Sequence, residues 1–363
     1  LKELINRLVS NFIQKLYRMD SLKHVKKLVK SLLLEGALPV DYLMSSKSSG
    51  TFKDSHGNTF KLYSSLRDAI KPGWRWIFLK EKKVPSEGDL QAEVTWAREA
   101  VGTSVGMLKA FGFDIEGKDV LEFGCGSSVK CYVLKELGAK TVLGTDVVGY
   151  MPLVGNECKT EPDEVHLNRV QKRADFYKRT FALDAGTDDV KYQLDDMSRS
   201  SMDPNSFDMI CSWEVLEHIT DMSSVFSETA RLLKPGGITF HEYNPFFAFN
   251  GGHSHCTLDF PWGHAALDED DFKRYLKENR PVEYDAGLSV YKNSLNRMQF
   301  SDLLKYAKDS GLELLMHAPF YEKKHLELLA NSNVMPAIKN VYPSITVNDL
   351  TAPVVWVAFR KPL

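Results

Sequence analysis

The run Val120-Leu-Glu-Phe-Gly-Cys-Gly-Ser127, followed by Thr141-Val-Leu-Gly-Thr-Asp146, constrains this chain more than any other feature. The apolar stretch Val120 to Phe123 predicts a buried parallel strand. It breaks at Gly124-Cys125-Gly126, and a helix is expected from about Ser128 to Leu137. Gly124 and Gly126 allow a sharp turn and carry no Cβ to obstruct a ligand. A second apolar run ends in Asp146, whose carboxylate can accept both hydroxyls of a ribose. Strand, glycine turn, helix, strand and acid form the layout of a nucleotide site at the carboxyl edge of an open α/β sheet. Alone, these residues could also close a strand-to-helix turn that binds nothing.

The composition of the loop narrows the ligand. A dinucleotide turn needs a third glycine where Val129 stands, so that a pyrophosphate can rest on the helix N-terminus. Glu122 precedes the loop. A carboxylate there repels a pyrophosphate and suits a ligand with a cationic amino group. Three later segments extend the pattern: Asp195-Asp-Met197, Ser206-Phe-Asp-Met-Ile-Cys-Ser-Trp-Glu-Val-Leu-Glu-His-Ile219, and Arg231-Leu-Leu-Lys-Pro-Gly-Gly237. With Glu122-Phe-Gly-Cys-Gly126 they resemble, in order and spacing, the motifs of class I S-adenosylmethionine (SAM)-dependent methyltransferases, in the small-molecule branch.

The resemblance covers about residues 118–245 and the closing strands. It implies an α/β fold with a doubly wound, seven-stranded, mostly parallel sheet (Rossmann-like), the last strand antiparallel. It implies SAM as cofactor and S-adenosylhomocysteine as product. The implied cofactor contacts are Glu122, Phe123, Gly124, Cys125, Gly126, Asp146, Val147, Asp196, Met197, Ser212 and Trp213. Asp196 would hold the adenine amino group, and Met197 would pack on the ring. A helix from Asp89 to about Phe111, N-capped by Asp89, would lid the site, so that Trp96 or Arg98 could touch the cofactor.

Strands are expected at 119–123, 141–145, 189–194, 207–212, 238–243, 312–317 and 353–360, alternating with helices as in a parallel sheet covered on both faces. Over 363 residues, 43% apolar and 11% aromatic side chains can fill one large or two modest domains. We divide the chain into a mainly helical extension, 1–88, and a methyltransferase domain, 89–363. The extension includes a hairpin from Phe52 to Phe60 around Gly57-Asn58. A net charge of −2 argues against a nucleic-acid partner. Five scattered cysteines read as reduced thiols in a cytoplasmic protein. No apolar run approaches the roughly 20 residues of a membrane span. Residues 1–35 are amphipathic and basic, with Leu1, Leu4, Ile5, Leu8, Phe12, Ile13 and Leu16 at helical spacing. One reading packs them on the enzyme body or on a second subunit of a homodimer. The other lays them on an anionic membrane surface, beside a lipid-linked substrate.

The connection from 244 to 300 is far longer than the sheet needs, and connections of that length are usually functional. We read it as a substrate lid inserted after the fifth strand. Methyl transfer to a hydroxyl needs alignment and a base, and histidine titrates in the useful range. The candidate bases are His253, His255 and His264. His253 and His255 would share one side if that stretch were extended, with Asp259 or Glu242 as orienting carboxylates. A second reading makes His253, His255 and a carboxylate a divalent-metal site for two vicinal substrate oxygens. The leading reading has no metal, and a third leaves the histidines as satisfied polar residues. His218 is expected to support the site. Phe246, Phe247, Phe249, Phe260 and Trp262 either form the lid core or wall a pocket. Arg297 either grips a carboxylate or phosphate, or makes a surface ion pair. The expected activity is methylation of an oxygen, or less readily a nitrogen, of a small or lipid-linked molecule. A sugar or glycolipid precursor comes first, then a natural product or quinone precursor. A protein or RNA methyltransferase, and a SAM-binding module without catalysis, are the alternatives. The charge balance weighs against the first and the histidine-rich loop against the second.

Overall fold

The computed structural model describes residues 48–64, 66–70, 84–147, 164–182 and 190–363. The expectations for residues 1–35 and for Cys158, one of the five cysteines, lie outside the described residues.

A hairpin, β1 (Gly50–Lys53) and β2 (Thr59–Leu62), pairs Phe52 with Phe60 as the turn chemistry predicts. The main sheet holds β3 (Asp119–Phe123), β4 (Thr141–Asp146), β5 (Val190–Leu194), β6 (Phe207–Trp213), β7 (Leu233–Tyr243), β8 (Glu313–Phe320) and β9 (Val354–Arg360). Its order is β5-β4-β3-β6-β7-β9-β8, with β9 antiparallel to both neighbours. The chain steps from β3 to β4 on one side and later to β6 on the other. That reversal opens a crevice at the carboxyl end of β3.

Nine helices of eight or more residues are described. They are α1 (Glu87–Ala110), α2 (Val129–Glu136), α3 (Glu164–Thr180), α4 (Met222–Leu232), α5 (Glu269–Asn279), α6 (Tyr284–Asn293), α7 (Phe300–Asp309), α8 (Lys323–Asn331) and α9 (Val334–Val341). Successive strand side chains point to opposite faces, so Val120 joins a core with Leu90, Val101, Tyr132 and Tyr177, while Leu121 joins one with Phe226, Leu303 and Phe359. The start of α1 differs from expectation. Ser86 is the N-cap, and Asp89 is the third helical residue of a reciprocal capping box, its carboxylate accepting from the Ser86 N–H at 2.9 Å. The Lys234-Pro-Gly-Gly237 turn lies inside β7 as an irregularity, the pairing jumping from Phe207–Leu233 to Met209–Ile238.

A third core brings together separated chain segments. Phe52, Phe60 and Leu62 of the hairpin pack with Phe246, Phe260, Trp262, Phe272 and Tyr275 of the lid, and with Leu328, Ile338 and Leu350 of the segment before β9. The hairpin therefore shares its core with the lid. Phe60 stacks on Phe260 at 4.4 Å, and the Trp262 indole N–H donates to the Leu350 carbonyl at 3.0 Å. Among the described residues, no helix is long and apolar enough to cross a membrane.

Candidate active site

The crevice is a cleft of about 740 Å³, floored by Phe123, Gly124, Gly126, Asp146, Val147, Asp196 and Met197, with the lid residues Asn293 and Ser294 on its far wall. Gly124 and Gly126 turn through the left-handed region at φ +66° and +50°. A Cβ on Gly124 would lie 2.4 Å from Val215 Cγ2, so only glycine lets this loop pass the end of β6. A Cβ on Gly126 would meet nothing within 4 Å, which leaves its backbone open to the cleft. The Gly126 N–H donates to Asp146 Oδ2 at 3.0 Å, and the Cys125 N–H to the Thr145 carbonyl at 3.0 Å. The Asp196 carboxylate accepts from the Ser198 hydroxyl at 2.7 Å and from Arg199 Nε at 3.0 Å. The Ser198 hydroxyl bond is the main reason that Asp196 stays below the usual carboxylate range.

Several expected contacts turn away from this cleft. Glu122 points to the opposite face of β3 from Phe123; it is 1% exposed and accepts from the Cys131 thiol at 2.9 Å. Burial pushes its carboxyl up to about 7. Ser212 is buried, its hydroxyl 2.8 Å from His241 Nδ1, and Trp213 packs beside Phe240. Past them, Glu214 and Val215 reach the cleft instead. The Cys125 backbone belongs to the glycine turn, but its sulfur faces Gly144 of β4. Trp96 lies under Lys130, and Arg98 pairs with Glu136, so neither lines the cleft.

The corner after β6 brings a cluster of titratable side chains to the cleft. Leu216–His218 form one turn of 3-10 helix, and His218 lines the cleft. The His218 Nδ1–H donates to the Ser294 carbonyl at 2.5 Å, which leaves Nε2 as an acceptor. Glu217 is 1% exposed, and its Oε1 accepts from the Asn244 N–H at 3.2 Å and side-chain amide at 3.3 Å. Its other oxygen, Oε2, has no hydrogen-bond partner among the described residues. Burial pushes the Glu217 carboxyl up to about 8. Asn296 pins the turn, donating from its side chain to the Leu216 and Ile219 carbonyls at 2.6 and 2.8 Å. From the lid, His253 brings its ring to 5.1 Å from that of His218. Both Glu214 and His253 hold left-handed backbone, at φ +59° and +48°. Residues other than glycine in that region carry strain, which collects at functional sites.

The other two candidate histidines are elsewhere. His253–Cys256 form a helical turn rather than an extended stretch, so His255 does not share a side with His253. His255 is half-buried, and burial followed by the charge of Arg67 lowers its pKa. His264 is 1% exposed; its Nε2–H donates to the Phe246 carbonyl at 2.8 Å, and burial drives its pKa down to about 4. The proposed orienting acids are also engaged, Asp259 by Arg280 at 2.5 Å and Glu242 by the Trp356 indole at 2.5 Å. Phe246, Phe247, Phe249, Phe260 and Trp262 are buried in the lid core, and none of them lines the cleft. Arg297 stacks over Phe246 and Tyr291 at 4.6 and 4.3 Å, inside the lid. His218, expected to support the site, itself lines the cleft. Its signal was a Glu-His pair at the carboxyl end of a core strand.

Comparison with known proteins agrees with this layout. A family described as a methyltransferase domain matches residues 101–317. A ubiquinone biosynthesis O-methyltransferase of Paracidovorax citrulli is 29% identical over 153 residues, which cover 42% of this chain and 54% of the relative. One from Pseudomonas fluorescens is 24% identical over 240 residues, 64% of this chain and 85% of the relative. The chain thus spans about half of the first relative and most of the second. The crystal structure of a SAM-dependent methyltransferase from Mesorhizobium loti is 16% identical, with a TM-score of 0.41, over 70% of this chain and 96% of that one. The family match spans the glycine turn and β3 to β7. Together with the strand order, it makes this chain a member of the class I SAM-dependent methyltransferases.

Proposed function

We propose that the chain transfers the SAM methyl group to a hydroxyl oxygen of a small molecule, activated at the corner of Glu217, His218 and His253. One observation carries the reading: His218 lines the same cleft as Gly126, Asp146 and Asp196. The cleft suits SAM. We assign Asp146 to the ribose, Asp196 and Met197 to the adenine, and the bare backbone of Gly126 to close approach. When bound, SAM supplies a methyl group on a sulfonium, which is already a good leaving group. The protein's part is to hold the acceptor in line, worth roughly 7–11 kcal/mol of barrier, and to take up its proton. His218 is suited to that step, because the Ser294 carbonyl holds its Nδ1–H and leaves Nε2 to accept. An oxygen acceptor also agrees with the relatives, which are named as O-methyltransferases of ubiquinone biosynthesis. Their names favour the ring hydroxyl of a quinone precursor over a sugar.

Two substitutions separate cofactor binding from chemistry. Asp146→Ala should weaken SAM by about 1.5–3 kcal/mol, the usual range for hydrogen bonds to a charged group. His218→Ala should leave SAM affinity nearly unchanged and lower turnover about 10²–10⁴-fold, with a residual rate that climbs with pH as hydroxide replaces the base. Calorimetry with SAM, and release of S-adenosylhomocysteine with catechol-type acceptors, read the two effects. Unchanged turnover in His218→Ala removes this corner from the reaction.

A further inference from the structure

We propose that Glu217, His218 and His253 bind one divalent first-row transition-metal ion, which grips the acceptor hydroxyl together with an adjacent oxygen of the substrate. The inference rests on the reading that this corner activates the acceptor. It changes the agent: the ion acidifies the hydroxyl, and the histidines are its ligands.

The three side chains each present one ligand atom, and these atoms lie within 4.8 Å of one another. Bonds of about 2.0–2.2 Å to one ion put ligand atoms roughly 3–4 Å apart, so the three side chains would draw together on binding it. The neighbouring groups are arranged as around a metal. A ligating histidine almost always donates its other ring N–H to a carbonyl or carboxylate, and ligating carboxylates are themselves hydrogen-bonded. The His218 Nδ1–H is on the Ser294 carbonyl, and Asn244 holds Glu217 Oε1.

A second observation is independent of the cluster. Glu217 Oε2 is buried and has no hydrogen-bond partner among the described residues. An oxygen in that position costs free energy unless something fills it. A cation at Oε2 would satisfy it.

Two imidazoles and one carboxylate suit Mn²⁺, Fe²⁺, Co²⁺ or Zn²⁺ better than Mg²⁺, which prefers an all-oxygen shell. Three protein ligands leave positions open on the cleft side, as in catalytic metal sites. Two vicinal oxygens can fill them as a chelate. The hydroxyl proton then leaves to solvent. The oxygen forms its bond to the methyl carbon as the carbon–sulfur bond breaks, and that electron pair stays on sulfur, giving neutral S-adenosylhomocysteine.

Mn²⁺ is a direct probe. Titration of the metal-free chain, followed by electron paramagnetic resonance, should show one bound ion per chain that Zn²⁺ displaces. Glu217→Gln, His218→Ala and His253→Ala should each weaken Mn²⁺ at least about tenfold. SAM affinity, measured on the same preparations, reports whether each variant is folded. Because a variant can fail to fold, the wild-type chain provides a second measurement: Mn²⁺ should raise its melting temperature, and a chelator should reverse the rise. Absence of stoichiometric Mn²⁺ binding by the wild type, or binding unchanged in all three folded variants, overturns the inference. SAM binding with base-dependent turnover but no metal leaves the proposed function standing alone. Metal binding without methyl transfer to any hydroxyl defeats the function instead.

Discussion

Glu122 and Asp146 stand on neighbouring strands and meet opposite environments. Asp146 faces the cleft, whereas Glu122 is sealed beneath α2 with the Cys131 thiol. Burial raises the Glu122 carboxyl from an ordinary value of 4.5 to about 7. The folded chain therefore holds an extra proton between those values. The stability this supplies is complete below about pH 4.5 and lost as pH rises through about 7. Glu122→Gln keeps the shape and removes the titration. Its stability should match the wild type at pH 4 and exceed it at pH 8 by on the order of 3 kcal/mol. Urea denaturation at the two pH values checks this, and equal differences at both refute it. The case also marks a limit of legibility. The motif pattern pointed to Gly124, Gly126, Asp146, Asp196 and Met197, and the fold brings these to one cleft. It did not reveal which way Glu122, Ser212 and Trp213 point. A strand covered on both faces is apolar throughout, so its sequence does not distinguish the two sides.

At the level of elements, the strands and the glycine turn were legible because each is a short apolar run closed by a breaker. The helices between β8 and β9 were not, since α8 and α9 are short and bury their apolar residues only against the lid. The helical turn at His253 was also missed. Four residues carry no periodicity, and its left-handed first residue is set by tertiary packing. The junction of β3 with α2 offers a test. Gly124→Ala places a methyl group at 2.4 Å from Val215 Cγ2 on left-handed backbone. We expect a loss of about 2 kcal/mol from overpacking and strain. Val215→Ala in the same chain should restore the steric part and leave the backbone part. Melting of the single and double variants measures both, and a double variant no better than the single one would mean that Val215 is not the obstacle.

Across the whole molecule, the lid is a body with its own core, built from the β1–β2 hairpin, residues 244–300 and the segment before β9. Phe260, 2% exposed, lies between Phe60 and Tyr275 in that core. Phe260→Ala should cost about 3 kcal/mol or more and loosen the hairpin, seen as faster protease cleavage between Asp54 and Asn58 while the sheet stays intact. Cleavage at the wild-type rate would show that the hairpin does not depend on this contact. The division of labour between the two bodies has an evolutionary corollary. Glu217 and His218 sit on the turn that leaves β6 of the sheet, whereas Asn244, His253, Ser294 and Asn296 come from the lid and its closing segment. The grip on SAM is a handle that any lid can share. On the proposed function, acceptor choice and reactivity are inherited together, because the piece proposed to shape the acceptor's chamber also completes the proposed reactive corner. A new lid grafted onto this sheet would bring its own substrate only if it also brought its own histidine.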